Sequence, residues 1–138
     1  ENTDILMSPS LVGGVYLTLR PFASLPGSLN STYVSVDGKY VGRQYYDNTS
    51  SPDRAIPAYF VSGLSLGYEL PLSSVSGLYD NSHTLRFSMH VNNLFNNMYY
   101  ADAWLWRAYF LQEDAYYSEV GIYPQAPVNF MLKIAWRF

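Results

Sequence analysis

The sequence predicts an all-β fold, an antiparallel sheet built as a segment of a transmembrane β-barrel. Three observations predict it. Apolar residues recur at every second position over long stretches, and no stretch holds the 3.6-residue period of an amphipathic helix. The stretches run roughly 9–13 residues, longer than the five or six of soluble sheets and close to the 9–11 that a tilted strand needs to cross a bilayer. Charge is confined to one side of the alternation: Arg20, Asp37, Lys39, Glu69, Arg86, Lys133 and Arg137 all share the phase of the polar residues, and the other phase has none.

Five strands follow in order. The first spans about Leu11 to Phe22, with Val15, Leu17 and Leu19 on one side and Tyr16, Thr18 and Arg20 on the other. Ala23–Ser28 carries Pro and Gly and reads as a short turn. The second spans about Leu29 to Tyr45, with Val34, Val36 and Tyr40 opposing Ser35, Asp37 and Lys39. Tyr46–Pro57 is a polar loop with two prolines. The third spans about Ala58 to Leu70, with Phe60, Leu64, Leu66 and Tyr68 opposing Gly63, Ser65, Gly67 and Glu69. Pro71–His83 is a Ser-rich turn, and Thr84–Asn92 is the fourth strand, with Leu85, Phe87, Met89 and Val91 on its apolar side. Asn93–Gln125 reads as one long aromatic loop. The fifth strand begins near Ala126 and alternates Val128, Phe130, Leu132, Ile134, Trp136 and Phe138 with Asn129, Lys133 and Arg137.

Composition narrows the function. The 138 residues amount to one domain at most. A net charge of −3 with 14% charged residues excludes a basic nucleic-acid footprint, and 49% apolar with 17% aromatic residues excludes intrinsic disorder. Cysteine is absent, which removes disulfides, thiolate metal sites and a Cys nucleophile. No apolar run reaches the length of a membrane helix. A mean hydropathy of −0.08 suits a soluble protein and a barrel equally, because only half of each barrel strand faces lipid. No signal peptide is visible and residue 1 is Glu, so the chain reads as processed or truncated. The connections alternate short and long as periplasmic turns and external loops do, which places Tyr46–Pro57 and Asn93–Gln125 together outside. Five strands cannot close a barrel, and an open edge in lipid leaves backbone groups unpaired. The chain therefore reads as a piece of a larger barrel.

Four stretches carry a resemblance. Phe130, Leu132, Ile134, Trp136 and Phe138 form an alternating C-terminal strand like the targeting strand of outer-membrane proteins. Tyr40–Thr49 (YVGRQYYDNT), Arg86–Asn96 (RFSMHVNNLFN) and Gly121–Phe130 (GIYPQAPVNF) are similar, in the expected order, to segments of Bacteroidetes-type TonB-dependent outer-membrane receptors. The resemblance implies a barrel of about 22 strands with an N-terminal plug, of which this chain supplies roughly strands 18 to 22. It implies residence in the bacterial outer membrane, among lipid and lipopolysaccharide. The implied partners are the rest of the barrel and its plug, the TonB complex acting through that plug, and a possible surface lipoprotein lid. It implies import of a scarce nutrient: an iron chelate, haem, a vitamin, a peptide or a glycan. The Pro-Gln-Ala run looks more like receptors with a carboxypeptidase-regulatory-like extension than like glycan importers. Arg20, Lys39, Glu69, Arg86, His90 and Lys133 would line the lumen.

Other signals are weaker. Asn92, Asn93 and Asn96 read as turn formers, since Asn side chains bond their own backbone. Tyr99, Tyr100, Trp104, Trp106, Arg107 and Tyr109 are candidate ligand-binding residues of the external loop, because Tyr and Trp give large contact area at low entropy cost. An aromatic belt at a loop base accounts for the same residues. Asp47, Asp53, Glu113, Asp114 and Glu119 read as solvated loop carboxylates. His83 and His90 lack metal-ligand spacing, and no metal, cofactor or catalytic residue is assigned. Ser88 and His90 share a face without any third partner of a triad. The competing reading is a secreted soluble β-sandwich that binds carbohydrate or mediates adhesion through its aromatic loop.

Overall fold

Period-two sequence produces strands almost throughout. A computed structural model describes residues 4–25, 28–73 and 83–138. Its strands are β1 (Val12–Leu19), β2 (Thr32–Val41), β3 (Gln44–Tyr45), β4 (Ala55–Ile56), β5 (Tyr59–Pro71), β6 (Thr84–Asn92), β7 (Tyr100–Phe110), β8 (Ala115–Pro124) and β9 (Asn129–Arg137). Short 3₁₀ turns at Ser28–Ser31 and Pro52–Arg54 interrupt them. No helix among the described residues is long and apolar enough to cross a membrane, which leaves strand crossings untouched. Much of the expected 71–83 turn lies outside the described residues, as do Pro26 and Gly27 of the first turn.

The chain divides into two compact units. Unit 2 comprises Gly14–Gly38, Val61–Asn96 and Val128–Phe138. Its elements belong to one five-stranded sheet in the order β1-β2-β5-β6-β9, made from the five strands that the alternation predicts. β5 pairs antiparallel with β6, and β6 with β9. Directly opposed residues share a face in such a ladder. The register therefore builds apolar rows across three strands: Leu64–Val91–Phe130, Leu66–Met89–Leu132, Tyr68–Phe87–Ile134 and Leu70–Leu85–Trp136. The intervening rows hold Ser65–His90–Met131, Gly67–Ser88–Lys133 and Glu69–Arg86–Ala135.

At the centre of the sheet burial runs opposite to that of a soluble sheet, and on β1 and β9 both faces are largely exposed. On the polar face Ser35 is 1% exposed and Ser88 8%, whereas the central-strand residues Leu66 and Phe87 remain 37% and 39% exposed. Leu132 and Ile134 on β9 are 70% exposed each. Small residues let larger neighbours close over the polar side. The Tyr33 ring lies over Gly67 so closely that a Cβ there would fall 2.0 Å from its Cζ. Among the described residues the buried hydrophobic side chains are Val41, Ile56 and Ala103 alone.

Unit 1 comprises Glu1–Gly13, Lys39–Phe60 and Asn97–Pro127. It gathers the two long connections that the alternation of lengths assigns to one side. The 93–125 segment is not the single loop that the sequence suggests. β7 and β8 form an antiparallel hairpin over nearly all of it, with a register irregularity between Tyr100 and Asp102. Its crowding of Tyr, Trp, Ala and Val obscured the alternation, because rings occur in both phases and so blur the two-residue period. β3 and β4 form a second small ladder, Gln44 opposite Ile56 and Tyr45 opposite Ala55.

Candidate functional site

The hairpin and the 46–54 segment, both in unit 1, form the most elaborated polar and aromatic region. Alternation splits its side chains between two faces. One face carries Ala103, Leu105, Arg107 and Tyr109 of β7, opposite Ile122, Val120, Ser118 and Tyr116 of β8. This face is tied down at Ala103 and Arg107, while Tyr109, Tyr116, Val120 and Ile122 on it stay exposed. The Asp47 carboxylate accepts bonds from the Thr49 backbone N–H (3.0 Å) and hydroxyl (2.6 Å) on Oδ1. Its Oδ2 accepts from Arg54 Nη1 at 2.5 Å and from Arg107 Nη2. Gln44 Nε2 adds a bond to the Ala101 carbonyl at 3.2 Å.

Asp47 is thus no solvated loop carboxylate, as its polar sequence context suggests, but a group only 9% exposed that holds two guanidiniums. Burial alone would raise its pKa. The Thr49 bonds and the Arg107 charge outweigh that and hold the carboxyl below its ordinary value of 3.8. Burial, followed by the Asp47 charge, pushes the neighbouring Tyr46 phenol up.

The other face carries Asp102, Trp104, Trp106, Ala108 and Phe110, opposite Tyr123, Gly121, Glu119, Tyr117 and Ala115. Its five rings are exposed. Trp104 covers Gly121, where a Cβ would stand 2.0 Å from the indole Nε1. Phe110 and Tyr117 meet edge to face at 5.4 Å, and the Tyr117 hydroxyl donates to Glu113 at 2.9 Å.

The six candidate ligand residues therefore do not make one surface. Trp104 and Trp106 share the open face. Arg107 and Tyr109 lie on the opposite one, with the Tyr109 hydroxyl donating to Asp114. Tyr99 stacks on Tyr59 at 4.5 Å, and Tyr100 opens β7 opposite Pro124. Phe110, Tyr117 and Tyr123 complete the open face, a grouping that only the strand register reveals. The pairing of Asp47 with Arg107 was equally hidden, since nothing in sequence marks a contact spanning 60 positions.

On the sheet of unit 2, Glu69, Arg86, His90 and Lys133 share the polar face in register. Arg86 is ion-paired to Glu69, and Ser65 Oγ lies 2.8 Å from His90 Nδ1. Arg20 and Glu69 line one cavity of about 280 Å³ with Tyr33. Lys39 stands exposed near the end of β2. β9 carries Phe130, Leu132, Ile134 and Trp136 on its apolar side, with Phe138 following it. Asn93 and Asn96 adopt left-handed backbone at φ 52°, and Asn96 Oδ1 accepts the Val128 N–H at 3.0 Å. Among the described residues no group of three or more His, Asp or Glu is placed to hold a metal ion. No protein-family model, curated protein or solved structure matches the chain.

Proposed function

We propose that the chain is the C-terminal part of the barrel of a TonB-dependent outer-membrane receptor, which imports a scarce nutrient with energy delivered by TonB. The observation that carries this reading is the burial at the centre of the five-stranded sheet: Leu66 and Phe87 of its uncharged apolar face stay open, whereas Ser35 and Ser88 of its polar face are buried. An apolar face of that extent has its natural counterpart in hydrocarbon, and the polar face in a lumen. The sheet order leaves β1 and β9 with one neighbour each among the described strands, edges that further barrel strands would pair. The four sequence resemblances point the same way.

In this reading the wall is passive. Unit 1 belongs to the outward surface that captures the nutrient, and Glu69, Arg86, His90 and Lys133 line the path that opens when TonB pulls on the plug. The chain contains no cysteine, so a single introduced thiol is its only one. In native outer membranes, a fluorophore on Leu132→Cys should be quenched by brominated lipid and one on Lys133→Cys should not. Nutrient uptake should stop when the proton gradient is collapsed. Recovery of the whole protein in the aqueous fraction without detergent, with both positions behaving alike, would overturn the reading in favour of a soluble sandwich.

A further inference from the structure

The open face of the β7–β8 hairpin carries one aromatic ring in each of five successive cross-strand rows. In order, the rows pair Tyr123 with Asp102, Trp104 with Gly121, Trp106 with Glu119, Tyr117 with Ala108 and Phe110 with Ala115. Each ring thus faces a small or acidic partner, never a second ring in its own row. Rows on one face recur every two residues, about 6.6 Å, so the ribbon extends about 26 Å. Gly121 leaves room for the Trp104 indole to lie over the strand backbone.

Charge on this face is one-sided. Asp102 and Glu119 are its ionisable residues of either sign besides the Tyr phenols; Asp102 Oδ1 accepts the Ala103 N–H, and the Glu119 carboxylate has no hydrogen-bond or ion-pair partner among the described residues. The single cation of the hairpin, Arg107, lies on the opposite face, held by Asp47. We infer that this ribbon is a docking surface for an extended basic peptide, with Lys or Arg at positions i and i+4 and an apolar side chain at i+2.

Two features select that occupant. An extended peptide presents alternate side chains at the same spacing of about 6.6 Å, so it can lie along the hairpin in step with the rows. The two carboxylates stand two rows apart, which is four residues of such a peptide. A cation reaching Asp102 sits beside Tyr123, and one reaching Glu119 sits beside Trp106, which combines ion pairing with cation–π attraction. The i+2 side chain meets Trp104 between them. A polyanion would meet two carboxylates and no cation.

The inference rests on the outward-surface reading of unit 1. Its test is separable from that reading. The complete receptor, purified in detergent, is titrated with a fluorescent nine-residue peptide carrying Lys at i and i+4 and Leu at i+2. Binding should weaken about tenfold with Trp106→Ala and similarly with Glu119→Gln, and fall as salt is raised. A peptide with Lys at i and i+3 should bind more weakly, and one with Glu for Lys should not bind. Tyr116→Ala, on the other face, should change nothing.

Equal binding of both Lys spacings, indifference to Trp106→Ala and Glu119→Gln, or preference for neutral oligosaccharide or lipid vesicles over the peptide overturns the inference. A receptor that sits in the outer membrane but shows that indifference refutes the ribbon and spares the transport reading. A soluble protein that binds the i, i+4 peptide does the reverse.

Discussion

Asp47 shows how much one side chain decides. It collects Thr49, Arg54 and Arg107 and so fastens the 46–54 segment to β7. Asp47→Asn should weaken that fastening by about 1–3 kcal/mol, the usual cost of stranding part-buried charged donors, and expose residues 46–54 to limited proteolysis; unchanged cleavage would refute the role. Its carboxyl titrates below 3.8 when folded, so its contribution is fully present above that pH and is lost as pH falls through the lower folded value. Acid-induced cleavage of 46–54 should accordingly begin below pH 3.8 in the native protein, and Asp47→Asn should abolish that dependence. Gly121 is the complementary case. Gly121→Val must displace the Trp104 indole, costing about 1–3 kcal/mol and shifting tryptophan fluorescence, and an unaltered emission spectrum would mean the ring does not cover that position.

At the scale of elements, the decisive feature is agreement of phase between neighbours. Leu66 opposes Met89, which opposes Leu132, and each contributes to one uncharged surface. A slip of a single residue in any strand would send its apolar set to the polar side. Leu66→Arg or Phe87→Arg should destabilise the assembled protein by about 2–4 kcal/mol in bilayer unfolding titrations if that surface meets hydrocarbon near mid-membrane. A neutral result for both would mean that the face is misassigned. The β7–β8 hairpin obeys the same alternation with a different outcome. One face holds the buried Ala103 and the bound Arg107 beside the exposed Tyr109 and Tyr116, and the other holds five exposed rings and no buried residue.

For the molecule as a whole, the sheet ends in two strands that each have one neighbour among the described elements, and the terminal one carries Phe130 through Phe138 in alternation. If the sheet lies in a bilayer as proposed, such edges need partners, because unpaired backbone groups in lipid cost several kcal/mol each. Phe138→Glu should lower the amount of the complete protein assembled in the outer membrane, measured in membrane fractions against total synthesis. Normal levels would refute the targeting role of the last strand.

The alternation of residues such as Leu85, Phe87, Met89 and Val91 was enough to predict the five strands of the sheet and, in the β5, β6 and β9 ladders, the shared face of Glu69, Arg86, Lys133 and Arg137. That information is local: period two is imposed by the pleat of each strand, whatever its neighbours do. The turn-forming role of Asn93 and Asn96 was legible for the same reason, since left-handed backbone suits Asn wherever it occurs. The hairpin was not legible, because its rings populate both phases, and neither was the division of Trp104 from Arg107, which depends on knowing that the segment is extended. The Asp47 cluster and the row-by-row pairing of Trp106 with Glu119 came only from tertiary structure. The first joins Asp47 to Arg107 across 60 positions and the second depends on the exact hairpin register, so which residues meet is set by register and packing rather than by any pattern along the sequence.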